Sequence, residues 1–322
     1  MEHRRRKIAL GLRVLVSLGI LAVLAWWLPL ETVFNAFKSL TGTLWLQTIS
    51  VFLIGHVIAA MKWRYMLQKY NLQIGVKETI RAHLSGLFAN ICLPSIVGGD
   101  IVRAAIISNK SRKKEIIIAG SVVDRLIDTA ALIFLMTIAA AFVVDYPTLR
   151  IPDNIFTIFC TIIVVLGVLA ILIAKYRHHR LLKAGLEKLT DSIQTILQQP
   201  LTILISLTIS LLVQTLFILL NIRIGRALGI DTDWQVWFFC WPLAKLIALA
   251  PISLGGIGVR DAALVTLLGT YGVVTGVAFA QSLAWQAILI LSGIIAGTIA
   301  VISSPNGVQI FRPQLESKQD KL

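Results

Sequence analysis

Charge is scarce in this chain. Only 14% of its 322 residues are Asp, Glu, Lys or Arg, against about 25% in soluble domains. With 57% hydrophobic residues and a mean hydropathy of +0.83, a soluble fold is excluded, because no single core could hide so many long apolar runs. Short segments of alternating polarity are missing as well, which excludes a transmembrane β-barrel. Cysteine is nearly absent: Cys92, Cys160 and Cys240 sit in apolar segments without a C-x-x-C pair and read as packing residues. There is no H-E-x-x-H, no G-x-S-x-G and no G-K-[ST] phosphate loop. No catalytic residue, metal site or cofactor is therefore assigned.

What the chain does have is a series of apolar runs near 8–28, 43–61, 116–144, 154–174, 200–220 and 273–302. Each approaches or exceeds the about 20 residues that cross a bilayer core as a helix. The first follows "RRRK" but ends in "AWWLP" without a small-residue cleavage site. It therefore reads as a retained helix. Two further apolar stretches, 79–108 and 235–272, are interrupted by "LPSIVGGDIVR" and "APISLGGIGVR". Both fit P-x-x-x-G-G-x-x-x-R, and the half-stretches are too short to cross alone.

The net charge of +14 would point to nucleic acid in a soluble protein. Here topology accounts for it. With the N-terminus in the cytoplasm and both interrupted stretches returning to their own side, the inside segments carry 23 Lys plus Arg and the outside segments 4, as the positive-inside rule requires. The expectation is an all-α polytopic protein of the inner or plasma membrane. It has about six spanning helices, two re-entrant broken hairpins, both termini in the cytoplasm and no nucleic-acid partner. Pro94 and Pro251 lie 157 residues apart, and the same shift carries 43–61 onto 200–218 and 116–144 onto 273–301. The chain thus reads as one transmembrane domain, 1–322, made of inverted repeats over about 1–150 and 151–305. A cytoplasmic amphipathic connector at 176–199 joins them, with Leu182, Leu186, Leu189, Ile193 and Ile196 on its apolar face. The polar tail, 305–322, reads as disordered.

The interruptions point to a site. Pro94 and Pro251 break a helix, and Gly98, Gly99, Gly255, Gly256 and Gly258 allow reversal and close approach. Irregular backbone is tolerated in lipid only where protein or a watery cavity surrounds it. The second arm of each hairpin starts with free N–H groups, an anion-binding end, and Arg103 and Arg260 add charge suited to phosphate. Asp100 and Asp261 read as partners of these arginines or as helix caps. In "DRLID", Asp124, Arg125 and Asp128 put three charges within about one helical turn, with Arg125 and Asp128 at pairing distance. Charges this deep face a cavity as a rule. Lys245 is a further candidate for phosphate, and Asn90 for bonding to the hairpin. His56 and His83 read as packing or interface residues.

At these motifs the chain resembles the transmembrane region of the lysylphosphatidylglycerol synthase/flippase family. The residues that carry the likeness are Asn90, Leu93, Pro94, Gly98, Gly99, Asp100 and Arg103, then Asp124 and Arg125, then Pro251 to Asp261. The resemblance implies a flippase-like module that moves an anionic or aminoacylated phospholipid, or a polyprenyl-phosphate lipid, between leaflets. The larger members add an aminoacyl-transferase domain, and a stand-alone module without that activity is expected here. The substrate-binding candidates are Arg103, Arg125, Lys245, Arg260, Asp124, Asp128 and Asn90, and the partner is a membrane lipid. Two other classes remain open: an embedded lipid-phosphate transferase with Asp124 or Asp128 as base, and a non-transporting partner of a lipid or glycan synthase.

Overall fold

The computed structural model describes residues 35, 38–70, 72–92, 98–108, 113–143, 190–249 and 258–303. The expected helices at 8–28 and 154–174, residues 176–189 of the connector, the tail, and the breaks at 93–97 and 250–257 lie outside the described residues. Pro94, Pro251, Gly255 and Gly256 fall in those breaks.

The described residues are helical, with no strand among them. Among the described residues, four helices are long and apolar enough to span a membrane: α1 (Gly42–Gln68), α4 (Lys114–Val143), α5 (Pro200–Ala227) and α8 (Thr275–Ile302). Between them lie two pairs of shorter helices, α2 (Val76–Cys92) with α3 (Gly98–Ser108), and α6 (Trp234–Ile247) with α7 (Val259–Thr270). The longest of these, α2, has 17 residues and reaches about 25 Å at 1.5 Å per residue, short of a roughly 30 Å hydrocarbon core.

Local chemistry sets the ends. Thr41 caps α1, its Oγ1 accepting from the Leu44 N–H at 3.3 Å. Pro200 opens α5, where a missing N–H costs nothing. α1 runs seven residues past its expected end at 61, because the charges that seemed to stop it are satisfied within the protein. Lys62 is buried against two carboxylates, and Arg64 Nε donates to the Ile74 carbonyl at 2.7 Å. α5 likewise runs on to Ala227 rather than stopping at 220.

Shifting α1–α4 by 157 residues lands each on α5–α8 to within about five residues at either end. The packing shows the same correspondence. α2 packs on α8 and α6 on α4, so each short pair meets the last helix of the other set, while α1 packs on α5. Along that contact Gln47 meets Arg223, Gly55 meets Phe217, and Lys62 meets Ser210. The residue numbers rise on one helix as they fall on the other, so α1 and α5 run antiparallel. The arms of the first short pair are antiparallel too and touch backbone to backbone. A Cβ on Gly86 would lie 2.6 Å from the Gly99 carbonyl oxygen, so only glycine fits there.

Two cores result. The larger one joins α1, α2, α4, α5, α6, α7 and α8 around Trp237, Trp241 and Trp285. The smaller one packs Trp63, Met66 and Leu67 of α1 against Ile107, Ile117 and Val123. Ile193 and Ile196 of the connector join this second core, as their place on its apolar face predicts.

Candidate functional site

The site lies where α1, α2, α3, α4, α5 and α6 meet. Asp124 of α4 is buried and accepts from Arg103 Nη2 of α3 at 2.7 Å, and it pairs with Lys62 Nζ of α1 at 2.9 Å. One turn on, Asp128 receives Lys62 at 2.5 Å and Ser210 Oγ of α5 at 2.7 Å. Ser210 in turn accepts from Lys62 at 2.8 Å. Arg103 also reaches Asp100 at 3.2 Å, and its guanidinium lies over the Trp63 ring at 4.7 Å. Arg125, next along α4, pairs with Asp100 at 2.7 Å. The expected Arg125–Asp128 pair within α4 is not what forms. Each partner instead finds an opposite charge on another helix, where it also satisfies a buried group.

Above this network stands a pair of imidazoles. Arg103 Nη1 lies 3.4 Å from His83 Nδ1, and His83 Nε2 lies 3.2 Å from His56 Nδ1. An arginine can only donate, so His83 Nδ1 accepts and its Nε2–H donates to His56. Both rings border the cavity rather than serving only as packing.

That cavity, about 110 Å³ in volume, is lined by Lys62, His83, Asn90, Asp100, Arg103, Asp124, Arg125, Asp128, Gln214 and Lys245, among others. A second cavity of about 230 Å³ is largely apolar and adjoins it. The two share His56, Leu87, Asn90, Arg125, Phe217 and Lys245 as a common border. Lys245 therefore sits at the junction. Its ammonium donates to Gln214 Oε1 at 2.9 Å and lies 5.9 Å from the Phe217 ring. Among the described residues it has no carboxylate within ion-pair distance, unlike Lys62, Arg103, Arg125 and Arg260.

Arg260 stands apart from the polar cavity. It lines the second one, donating to Gln286 Oε1 of α8 at 2.7 Å and to Asp261 at 2.9 Å. Asp261 is fully buried. It accepts from the Gly258 N–H at 2.9 Å and from Ser282 Oγ at 2.5 Å, so it both caps α7 and fixes the arginine. Gly258 has φ +85°, a conformation natural to glycine. Asn90 bonds to the hairpin as expected, its Oδ1 accepting from the Gly99 N–H at 2.8 Å. Gly98 is buried at the start of α3.

Of the residues singled out in the sequence, the structure brings Arg103, Asp124, Arg125, Asp128, Asp100, Asn90 and Lys245 to one cavity, while Arg260, expected beside them, lines its neighbour instead. Sequence reading missed Lys62, Ser210 and Gln214. Lys62 was hidden in "MKWRYMLQK", which reads as a cytoplasmic flank. The signal was there: Thr48, Phe52, Gly55, Ala59, Lys62 and Met66 recur at helical spacing on one face of α1. Among the described residues, no three His, Cys, Asp or Glu side chains converge as a metal site.

Comparison with known proteins yields one result. The family described as the lysylphosphatidylglycerol synthase TM region matches residues 12–297, which is most of the chain. No curated protein and no solved structure gives a significant match.

Proposed function

The chain belongs to the lysylphosphatidylglycerol synthase TM region family, and from that premise we propose that this integral membrane protein is a lipid flippase. The observation that carries the reading is Lys245. It is a cation without a carboxylate partner, placed where a polar cavity meets an apolar one. That is the arrangement an amphiphile needs: its phosphate at the ammonium, its polar headgroup on one side and its apolar part on the other.

The other charges support this by being occupied. Lys62, Arg103, Arg125 and Arg260 are balanced by Asp100, Asp124, Asp128 and Asp261. The surplus positive charge rests on Lys245, and Arg125 borders the same space. This favours an anionic headgroup, a phosphatidylglycerol-like or polyprenyl-phosphate lipid, over an aminoacylated one, whose own ammonium would meet Lys245. Arg103 acts by holding Asp124 in place, and Arg260 borders the apolar side.

Transport by alternating access fits the architecture. Corresponding helices α1 and α5 are antiparallel, which supports an inverted repeat with its site at the interface of the halves. The charge bias supports an orientation with both termini in the cytoplasm, and the plasma membrane is the proposed location.

The test is reconstitution into vesicles with fluorescent anionic phospholipid. Wild-type protein should move the label between leaflets. Lys245→Ala should slow this by about tenfold or more, the worth of a charge-assisted hydrogen bond, and Lys245→Glu should abolish it. Wild-type rates in both variants would overturn the assignment of Lys245, and no movement by the wild type would overturn the flippase reading.

A further inference from the structure

A third cavity lies between α3 and α4, at about 450 Å³ larger than either of the other two. Ile101 and Ala105 form one wall, and Val122 and Leu126 the other. Within each wall these residues stand four apart, so each pair lies on one helix face. Ile101 is 64% exposed and Leu126 58%, and α4 is a spanning helix. The groove is therefore an open apolar slot on a membrane-facing surface.

Its inner end is charged. Asp100 and Arg125 line the groove and the polar cavity alike. They form an ion pair of 2.7 Å, with side chains 20% and 31% exposed. The wall between a slot fit for hydrocarbon and a cavity fit for a phosphate includes this pair.

We propose that the groove seats an acyl chain of an anionic membrane lipid, and that the Asp100–Arg125 pair is the gate through which the headgroup passes sideways into the cavity. The identity of the cargo rests on the flippase reading; the groove and its occupant do not. The chemistry favours the exchange. A phosphate gives Arg125 oxygen acceptors in the geometry a carboxylate gives, so the guanidinium trades one anion for another without being left unpaired. Asp100 keeps Arg103 as its partner while it is displaced. The tail meanwhile stays on apolar side chains and never crosses the polar cavity. A zwitterionic lipid with the same tails carries a cation that Arg125 repels, so its headgroup is held off the gate and its tail sits in the groove more weakly.

Photo-crosslinking in vesicles tests this, using two phospholipids with identical diazirine-bearing acyl chains, one with a glycerol headgroup and one with a choline headgroup. The peptide spanning α3 and the first part of α4 should be labelled about tenfold more by the anionic lipid, the excess that one ion-pair exchange worth about 1.4 kcal/mol gives. Ala105→Trp, an exposed position that fills the slot, should remove that excess while the melting temperature stays near that of the wild type. If that variant fails to fold, Val122→Trp takes its place. Equal labelling by the two lipids, an excess that survives the tryptophan, or crosslinks to a second copy of the chain instead would each overturn the proposal. Headgroup-dependent labelling without leaflet exchange would sink the flippase reading and leave the groove standing. Leaflet exchange at wild-type rate in Ala105→Trp would sink the groove and leave the flippase reading standing.

Discussion

Lys62 holds two carboxylates at once, and its loss has a calculable consequence. Removing one partner of a buried ion pair leaves uncompensated charge and costs about 3–5 kcal/mol. Lys62→Ala should therefore lower the thermal unfolding midpoint in detergent sharply. Lys62→Met combined with Asp128→Leu should recover much of the loss, because Asp124 keeps Arg103; a double-mutant cycle should show coupling of about 1–3 kcal/mol. A lack of coupling would mean that the short distances carry little energy. At this scale the sequence was informative where a charge interrupts an apolar helix, as at Asp124, Arg125 and Asp128. It misled where a buried charge stands among exposed ones. Lys62, Arg64 and Lys69 look alike in a row of letters, yet only Lys62 is buried: Arg64 lies on another face, and Lys69, though in register with Lys62 and Met66, stands at the exposed C-cap of α1. Pairing was also out of reach, since proximity along α4 suggested Arg125 with Asp128 and the packing of helices gave each another partner.

The first short pair depends on close approach between its arms. Gly86→Val would push a branched side chain into the Gly99 carbonyl and the Arg103 side chain, separating α2 from α3. The expected cost is about 1–3 kcal/mol, as for other overpacked contacts, together with loss of the Asn90–Gly99 bond. Gly269→Ala is the control: nothing lies within 4 Å of the added methyl, and alanine in a helix should hold stability or raise it by up to about 1 kcal/mol. Equal effects at the two positions would remove the steric explanation. The four short helices and their pairing were legible, because Pro and paired Gly inside an apolar stretch have few other uses in lipid. Helix ends were less so. α1 and α5 overran their expected ends by a turn or two, since a polar residue stops a membrane helix only when no partner awaits it.

Across the whole molecule, orientation is the property most open to a direct check. Asp231 lies in the exposed connection between α5 and α6, and Lys69 just after α1. A single cysteine at position 231 should react with a membrane-impermeant maleimide added to intact cells. One at position 69 should react only after the membrane is opened. The opposite pattern would reverse the orientation proposed from charge. The 157-residue shift was readable because it moves whole hydrophobic segments. The antiparallel run of α1 against α5 needed coordinates, as contacts such as Gln47–Arg223 join residues far apart in sequence. The Lys62 joint finally limits how the molecule can move. It fastens α1 to α4 and α5 through Asp124, Asp128 and Ser210. Those three helices must travel, or stay, as one post. Under the proposed flippase reading, a change of access must leave that post intact, and α3, tied to α4 by Arg103–Asp124, moves with it unless that pair opens.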